Sequence, residues 1–210
     1  MPSVNHCRML FIGNSYTQNN NLPDLIANQL KIGLNIDLTH KSIVKGGASL
    51  RLHWNAGHAA DLIQSAEFDY VVLQEQSTLP IKNARRFKGN VACFAEIIAQ
   101  TSSKAALYMT WARQDQPEKQ GLLSSAYDEV GKSYGMTIIP AGCAWEAFLN
   151  KYPAEILHQP DLSHPTLAGS QLAALAFYRY LFNGDVMDLP AAENSDPELW
   201  QKLTTSVSEL

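Results

Sequence analysis

Cysteine is scarce in this chain of 210 residues. Cys7, Cys93 and Cys143 are odd in number and widely spaced, which suits reduced thiols and excludes the dense disulfide framework of a small secreted scaffold. Charged residues make up 17% and leave a net charge of −4. That balance offers no basic field for a nucleic-acid backbone or an anionic membrane. Long apolar runs are missing as well, since none reaches the roughly 18 residues of a transmembrane span. The opening MPSVNHCRMLFIGN has no cationic segment followed by an apolar block, so it does not read as a signal peptide. The expected location is cytoplasmic, with a secreted form left open if the natural N-terminus has been trimmed. Internal repeats and low-complexity tracts are also absent.

What is present is an apolar content of 46%, enough for the core of one domain over residues 1–210. Short apolar or β-branched runs bounded by turn residues predict strands at Met9–Ile12, Ile36–Val44, Tyr70–Gln74, Ala105–Met109 and Met136–Ile139. Helical segments fall between them. Leu22, Leu25, Ile26 and Leu30 share one face, with Pro23 near the start and Gly33 read as lying just past the end. Further helices are predicted at Asn90–Gln100, Leu122–Tyr134 and Leu167–Phe182, the last closed by Asn183-Gly184. Residues 185–210 read as a tail. Strand–helix alternation repeated about five times implies a parallel sheet, because parallel neighbours need crossover connections. The predicted fold is α/β: a three-layer α/β/α sandwich, flavodoxin-like, on a five-stranded parallel sheet. In such sheets ligands sit at the carboxyl ends of the strands.

Four blocks stand at those ends. Gly13-Asn14-Ser15 follows strand one and precedes a helix, a position that suits a nucleophile. It equally suits a helix cap or Ser/Thr turn. Gly46-Gly47 after strand two lets backbone N–H groups approach a ligand, as an oxyanion hole requires, or forms an ordinary loop. Gln74-Glu75-Gln76-Ser77 ends strand three; a carboxamide there can donate to an oxyanion, while Glu75 points the other way to structural partners. Asp161 and His164 are three apart just before the long C-terminal helix. At that spacing a carboxylate can hold one ring nitrogen and leave the other free as a base. No zinc spacing joins this pair to the other histidines or to a cysteine, so no metal is expected. Neither dinucleotide nor P-loop glycine pattern follows strand one, which weakens a nucleotide-binding reading and implies no cofactor. Trp111 and Arg113 after strand four, and Trp145 after strand five, are candidates for pocket walls. The tryptophans equally suit core packing, and Arg113 could pair with Asp115 or Glu118.

These blocks, in this order over positions 11 to 165, resemble the SGNH hydrolases, the superfamily of the GDSL esterases and lipases. Within it, GNSYT, VVLQEQS and DLSHP are similar to a bacterial subgroup. The resemblance implies Ser15 as nucleophile, His164 as base and Asp161 as its orienting partner. It also implies an oxyanion hole of the Ser15 N–H, a glycine N–H (Gly47, alternatively Gly46) and a carboxamide. The family's third block is typically Gly-x-Asn-Asp, which puts the asparagine position on Gln76, with Gln74 as the alternative. Asn14 stands where the family usually has aspartate, and it joins Trp111, Arg113 and Trp145 as a substrate-pocket candidate. The implied activity is hydrolysis of a short-acyl carboxylic ester, such as an O-acetyl group on a carbohydrate, through an acyl-enzyme. Thioesterase or lysophospholipase activity and an inactive carbohydrate-binding relative are the alternatives. The expected partner is a small-molecule ester, with no nucleic acid and no membrane span.

Overall fold

Alternation along the central strands decides the layering. The computed structural model describes residues 5–191 and 195–210. Its five strands are β1 (Asn5–Gly13), β2 (Ile36–Val44), β3 (Tyr70–Leu73), β4 (Lys104–Tyr108) and β5 (Thr137–Ile139), all paired in parallel in the order β2-β1-β3-β4-β5. Because successive side chains point to opposite faces, Met9, Phe11, Val72, Ala106 and Tyr108 enter one core. Leu10, Ile12, Val71, Leu73 and Leu107 enter the other.

Helices cover both faces. These are α1 (Ser15–Gln18), α2 (Leu22–Leu34), α3 (Leu50–Ala56), α4 (His58–Ser65), α5 (Leu79–Lys82), α6 (Ala84–Ile98), α7 (Gln120–Tyr134), α8 (Ala141–Lys151), α9 (Leu167–Phe182) and α10 (Pro197–Ser208). The first core is closed by α2, α8, α9 and α10, the second by α3, α4, α6 and α7. The predicted three-layer sandwich is what forms. Register brings the strand ends together: Gly13 lies beside Val44, Ile12 beside Leu73, and Leu73 beside Leu107. The chain reverses direction across the sheet between β1 and β3, so the loops after β1, β2 and β3 share one edge. This is where a doubly wound sheet opens a crevice.

Three sequence expectations change. Residues 197–208 form α10 where a tail was expected, capped by Asp196 with Pro197 in the first turn. The physical reason lies in α9, whose residues 169–178 are buried all round. A helix apolar on every side needs cover on every side, and Trp200, Leu203 and Val207 of α10 supply the last of it. Gly33 lies inside the last turn of α2, and the left-handed C-cap is Asn35 (φ 52°). Gly33 is there for proximity to α9: an ideal Cβ would stand 2.2 Å from Tyr178 Oη and 2.7 Å from Leu189 Cδ2. The third change concerns α3, α4, α5 and α8, which form in segments the pattern left unassigned, while α6 begins at Ala84. Asn183 does close α9, with φ 55° and its N–H on Tyr178 O. Among the described residues no helix is long and apolar enough to cross a membrane.

Helix propensity alone makes Gly33→Ala stabilising by up to about 1 kcal/mol. Tyr178 is buried and also packed against Gly184, so it cannot retreat, and overpacking of this kind costs about 1–3 kcal/mol. Urea unfolding of Gly33→Ala is expected to show a lower midpoint than wild type. A higher midpoint contradicts the packing account.

Candidate active site

The turn after β1 is built on the absence of one Cβ. An ideal Cβ on Gly13 would lie 2.5 Å from Gln74 Oε1 and 2.7 Å from Thr17 Oγ1, so glycine lets the Gln74 side chain reach back across the sheet edge. Gln74 Oε1 accepts from Asn14 N (2.8 Å) and Thr17 Oγ1 (3.1 Å), and its Nε2 donates to Glu75 O. Asn14 caps α1 by accepting from Tyr16 N (3.1 Å), and its Nδ2 donates to Ala48 O (3.0 Å), tying this turn to the loop after β2. His53 Nε2 donates to Gly13 O (2.7 Å). Burial lowers its pKa and favours the neutral ring.

The third strand end is held from below. Glu75 is fully buried; its Oε1 accepts from Leu50 N (3.0 Å) and Gln76 N (2.7 Å), and its Oε2 from Asn90 Nδ2 (2.8 Å). Burial raises its pKa, and those donors oppose the rise. The structural role expected of Glu75 is thus visible in its partners. Together these bonds lace the loops after β1, β2 and β3 into one rigid edge.

Ser15 opens α1 at that edge, and its own N–H has no intrahelical acceptor. Its Oγ lies 2.7 Å from His164 Nε2, across 149 residues of sequence. Asp161 organises the histidine's loop: Oδ1 accepts from Ser163 N (3.0 Å) and His164 N (2.9 Å), and Oδ2 accepts from His164 Nδ1. With Nδ1 donating to the carboxylate, Nε2 is left to accept from the Ser15 hydroxyl. The turn forces Leu162 into the left-handed region (φ 63°), a conformation costly for a branched side chain. Contacts from the loop after β4 hold it there. Gln114 N donates to Leu162 O (2.9 Å), Arg113 Nη2 to Asp161 O (3.1 Å) and Trp111 Nε1 to Ser163 O (3.0 Å).

A cavity of about 860 Å³ opens over Ser15 and His164, with Gly46, Gly47 and Gln76 on its wall. Gly47 has φ +68°, and no atom would meet a Cβ at either glycine, so Gly47 is required for backbone conformation. Neither glycine N–H has an acceptor among the described residues. Gln76 Oε1 accepts from Thr78 N (3.0 Å) and Thr78 Oγ1 (3.1 Å), which leaves Nε2 as its available donor. The two glutamines therefore differ: Gln76 lines the cavity, whereas Gln74 is buried and committed to the Asn14 turn.

The pocket candidates divide similarly. Trp111 borders the cavity but is 2% exposed, and Arg113 borders it while bonding Asp115 Oδ1 (3.2 Å). Trp145 stacks behind Trp111 with ring centroids 3.7 Å apart and faces a neighbouring cavity of about 280 Å³. Of the two readings left open for Trp145, its packing against Trp111 and absence from the border of the Ser15 cavity favour core support. Asn14 borders the cavity, yet its amide is used within the turn. Sequence reasoning missed Tyr16, whose hydroxyl lies 2.6 Å from Ser163 Oγ and whose ring centroid is 5.5 Å from that of His164. It also missed His53. Tyr16 lies inside the GNSYT block and His53 six residues after Gly47, but their partners are more than thirty residues away. Among the described residues no group of three or more His, Cys, Asp or Glu side chains could hold a metal ion.

The hydrogen bond from His164 holds the Asp161 carboxyl down at about 2, below its ordinary 3.8, with the His164 and Ser163 N–H groups assisting. For a lowered carboxylate the linked stability is complete above the ordinary value and is lost as pH falls through about 2. Carbon-13 NMR of the Asp161 carboxyl is expected to give a midpoint near 2 in wild type. It should move up toward the ordinary value in His164→Ala, and an unchanged midpoint contradicts the pairing.

No protein-family model and no curated protein matches the sequence. Solved structures do. A DUF4886 family protein from Bacteroides uniformis superposes with a TM-score of 0.83 at 18% identity, covering 98% of this chain and 94% of that one. An SGNH hydrolase candidate from Slackia heliotrinireducens gives 0.70 at 24%, covering 84% and 100%. An acetylxylan esterase from Geobacillus stearothermophilus gives 0.66 at 17%, covering 85% and 95%. With its five parallel strands in the order β2-β1-β3-β4-β5 and these likenesses, the chain has the SGNH hydrolase fold.

Proposed function

We propose that the chain is a serine esterase that removes a short acyl group, acetyl on a carbohydrate, through an acyl-enzyme on Ser15. The observation that carries this reading is the bonded relay of Ser15 Oγ, His164 and Asp161 at the floor of an open cavity. His164 Nε2 takes the hydroxyl proton as Ser15 Oγ attacks the ester carbonyl, and Asp161 stabilises the imidazolium. The proton then passes to the departing alcohol. Water repeats the sequence on the acyl-enzyme, releasing the acid and restoring Ser15. The Ser15 and Gly47 N–H groups and Gln76 Nε2 are the proposed donors to the tetrahedral oxyanion. Gln76 is preferred to Gln74 because only its amide borders the cavity.

The acetyl-carbohydrate substrate is supported by the named activity of the Geobacillus neighbour. The free thiols of Cys7, Cys93 and Cys143 support a reducing compartment, which we take to be the cytoplasm.

A fluorophosphonate probe, which reacts with activated serines, is expected to label the wild type and not Ser15→Ala. With 4-nitrophenyl acetate, Ser15→Ala and His164→Ala should lose about 10⁴-fold or more in kcat, with Asp161→Ala intermediate. Gln76→Ala should lose about 10²–10³-fold, the usual effect of removing one oxyanion donor. Equal turnover by wild type and Ser15→Ala would sink the mechanism.

A further inference from the structure

The walls of the Ser15 cavity carry charge of one sign. Lys82, Arg113 and Lys119 border it, and no aspartate or glutamate does, although acidic residues outnumber basic ones in the chain, 20 to 16. Lys82 stands in the last turn of α5, and Lys119 in the 3-10 turn Pro117–Lys119 that leads into α7. Arg113 is paired with Asp115 and bound to Asp161 O. The lysines are not neutralised in this way. Lys119 Nζ bonds the uncharged Gln116 side chain, and neither ammonium has a carboxylate within 4.0 Å among the described residues.

Carboxylates are present nearby but on the other side of the wall. Glu118 and Glu146 border the smaller cavity behind Trp111 and Arg113. The acids closest to the Ser15 cavity, Asp161 beneath His164 and Asp115 beside Arg113, are each already paired, so the two lysines are the unneutralised charges on its border. Apolar groups, Tyr16, Ile81, Trp111 and Leu123, make up much of the remaining wall. A concave site of this kind focuses its field on whatever occupies it.

We propose that the substrate of the Ser15 site is an ester bearing an anionic substituent, a carboxylate or phosphate, held by Lys82 and Lys119. This rests on the esterase reading and adds the charge of the molecule on which it acts. The lysines act in binding, with no part in the proton relay. Their contribution is Coulombic and open to solvent, Lys82 being exposed and Lys119 half-buried, so it weakens with salt over a Debye length of about 10 Å at 0.1 M. Loss of a charge-assisted contact of this type is worth about tenfold in affinity.

The test compares 4-acetoxybenzoate with the uncharged 4-acetoxybenzamide, each rate divided by its hydroxide-catalysed rate. Wild type is expected to favour the anion about tenfold in kcat/KM at low salt, through KM, with the preference shrinking as KCl is added. The double variant Lys82→Met/Lys119→Met should bring the ratio close to one, while Lys132→Met, an exposed lysine elsewhere on α7, keeps it. Substituting 4-acetoxyphenyl phosphate tells the two anions apart by which gives the larger ratio, and mono-4-nitrophenyl succinate reports an anion on the acyl side. A ratio of one for every anionic probe in wild type, or a preference that survives both lysine substitutions, overturns the proposal while Ser15-dependent hydrolysis of the amide probe leaves the esterase reading standing. Hydrolysis that persists in Ser15→Ala, or none at all, overturns both.

Discussion

The 2.7 Å hydrogen bond between Ser15 Oγ and His164 Nε2 requires two segments from opposite ends of the chain to meet within tenths of an ångström. A central strand and an interior helix meet that requirement. Ser15 follows β1, which pairs with both β2 and β3, and His164 precedes α9, buried all round over residues 169–178. Neither can shift without disturbing a core. The long-range position of the pair is therefore set by apolar packing, and polar bonds adjust only the final geometry.

Those polar bonds are expensive to bury and are retained in full sets. Asn14, Gln74, Glu75 and Asn90 are almost completely buried, and each has hydrogen-bond partners among the strand-end loops. A buried amide or carboxylate left unpaired costs about 1–3 kcal/mol or more. The set therefore resists any loop movement that breaks one member. In the proposed mechanism this rigidity serves electrostatics, since donors aimed in advance at a developing oxyanion need no reorganisation when it forms. The strained Leu162 belongs to the same economy of form, since its left-handed backbone lets one carboxylate of Asp161 bind both the ring and the backbone of His164.

Much of this was legible in the sequence. The five strands announced themselves because each is a short run, apolar or β-branched, bounded by turn residues, and the Asp-x-x-His spacing needs only a local turn. What was not legible depended on distant partners. Gln74 and Gln76 are two apart and chemically identical, and only the missing Cβ of Gly13 diverts the first into the scaffold. Trp111 and Trp145 looked equivalent at neighbouring strand ends, but their stacking puts one in front of the other. The helix α10 was lost because its own sequence is mixed. The clue lay instead in α9, where the lack of a polar face demanded another layer.

The central claim is that the edges of β1, β2 and β3 form one preset oxyanion site around Ser15. The most direct measurement is a crystal structure of the protein covalently modified by a small alkyl fluorophosphonate. The account predicts phosphorus on Ser15 Oγ and the phosphoryl oxygen about 2.7–3.1 Å from the Ser15 N, Gly47 N and Gln76 Nε2. A phosphoryl oxygen turned away from all three donors, or an adduct on another residue, would contradict it.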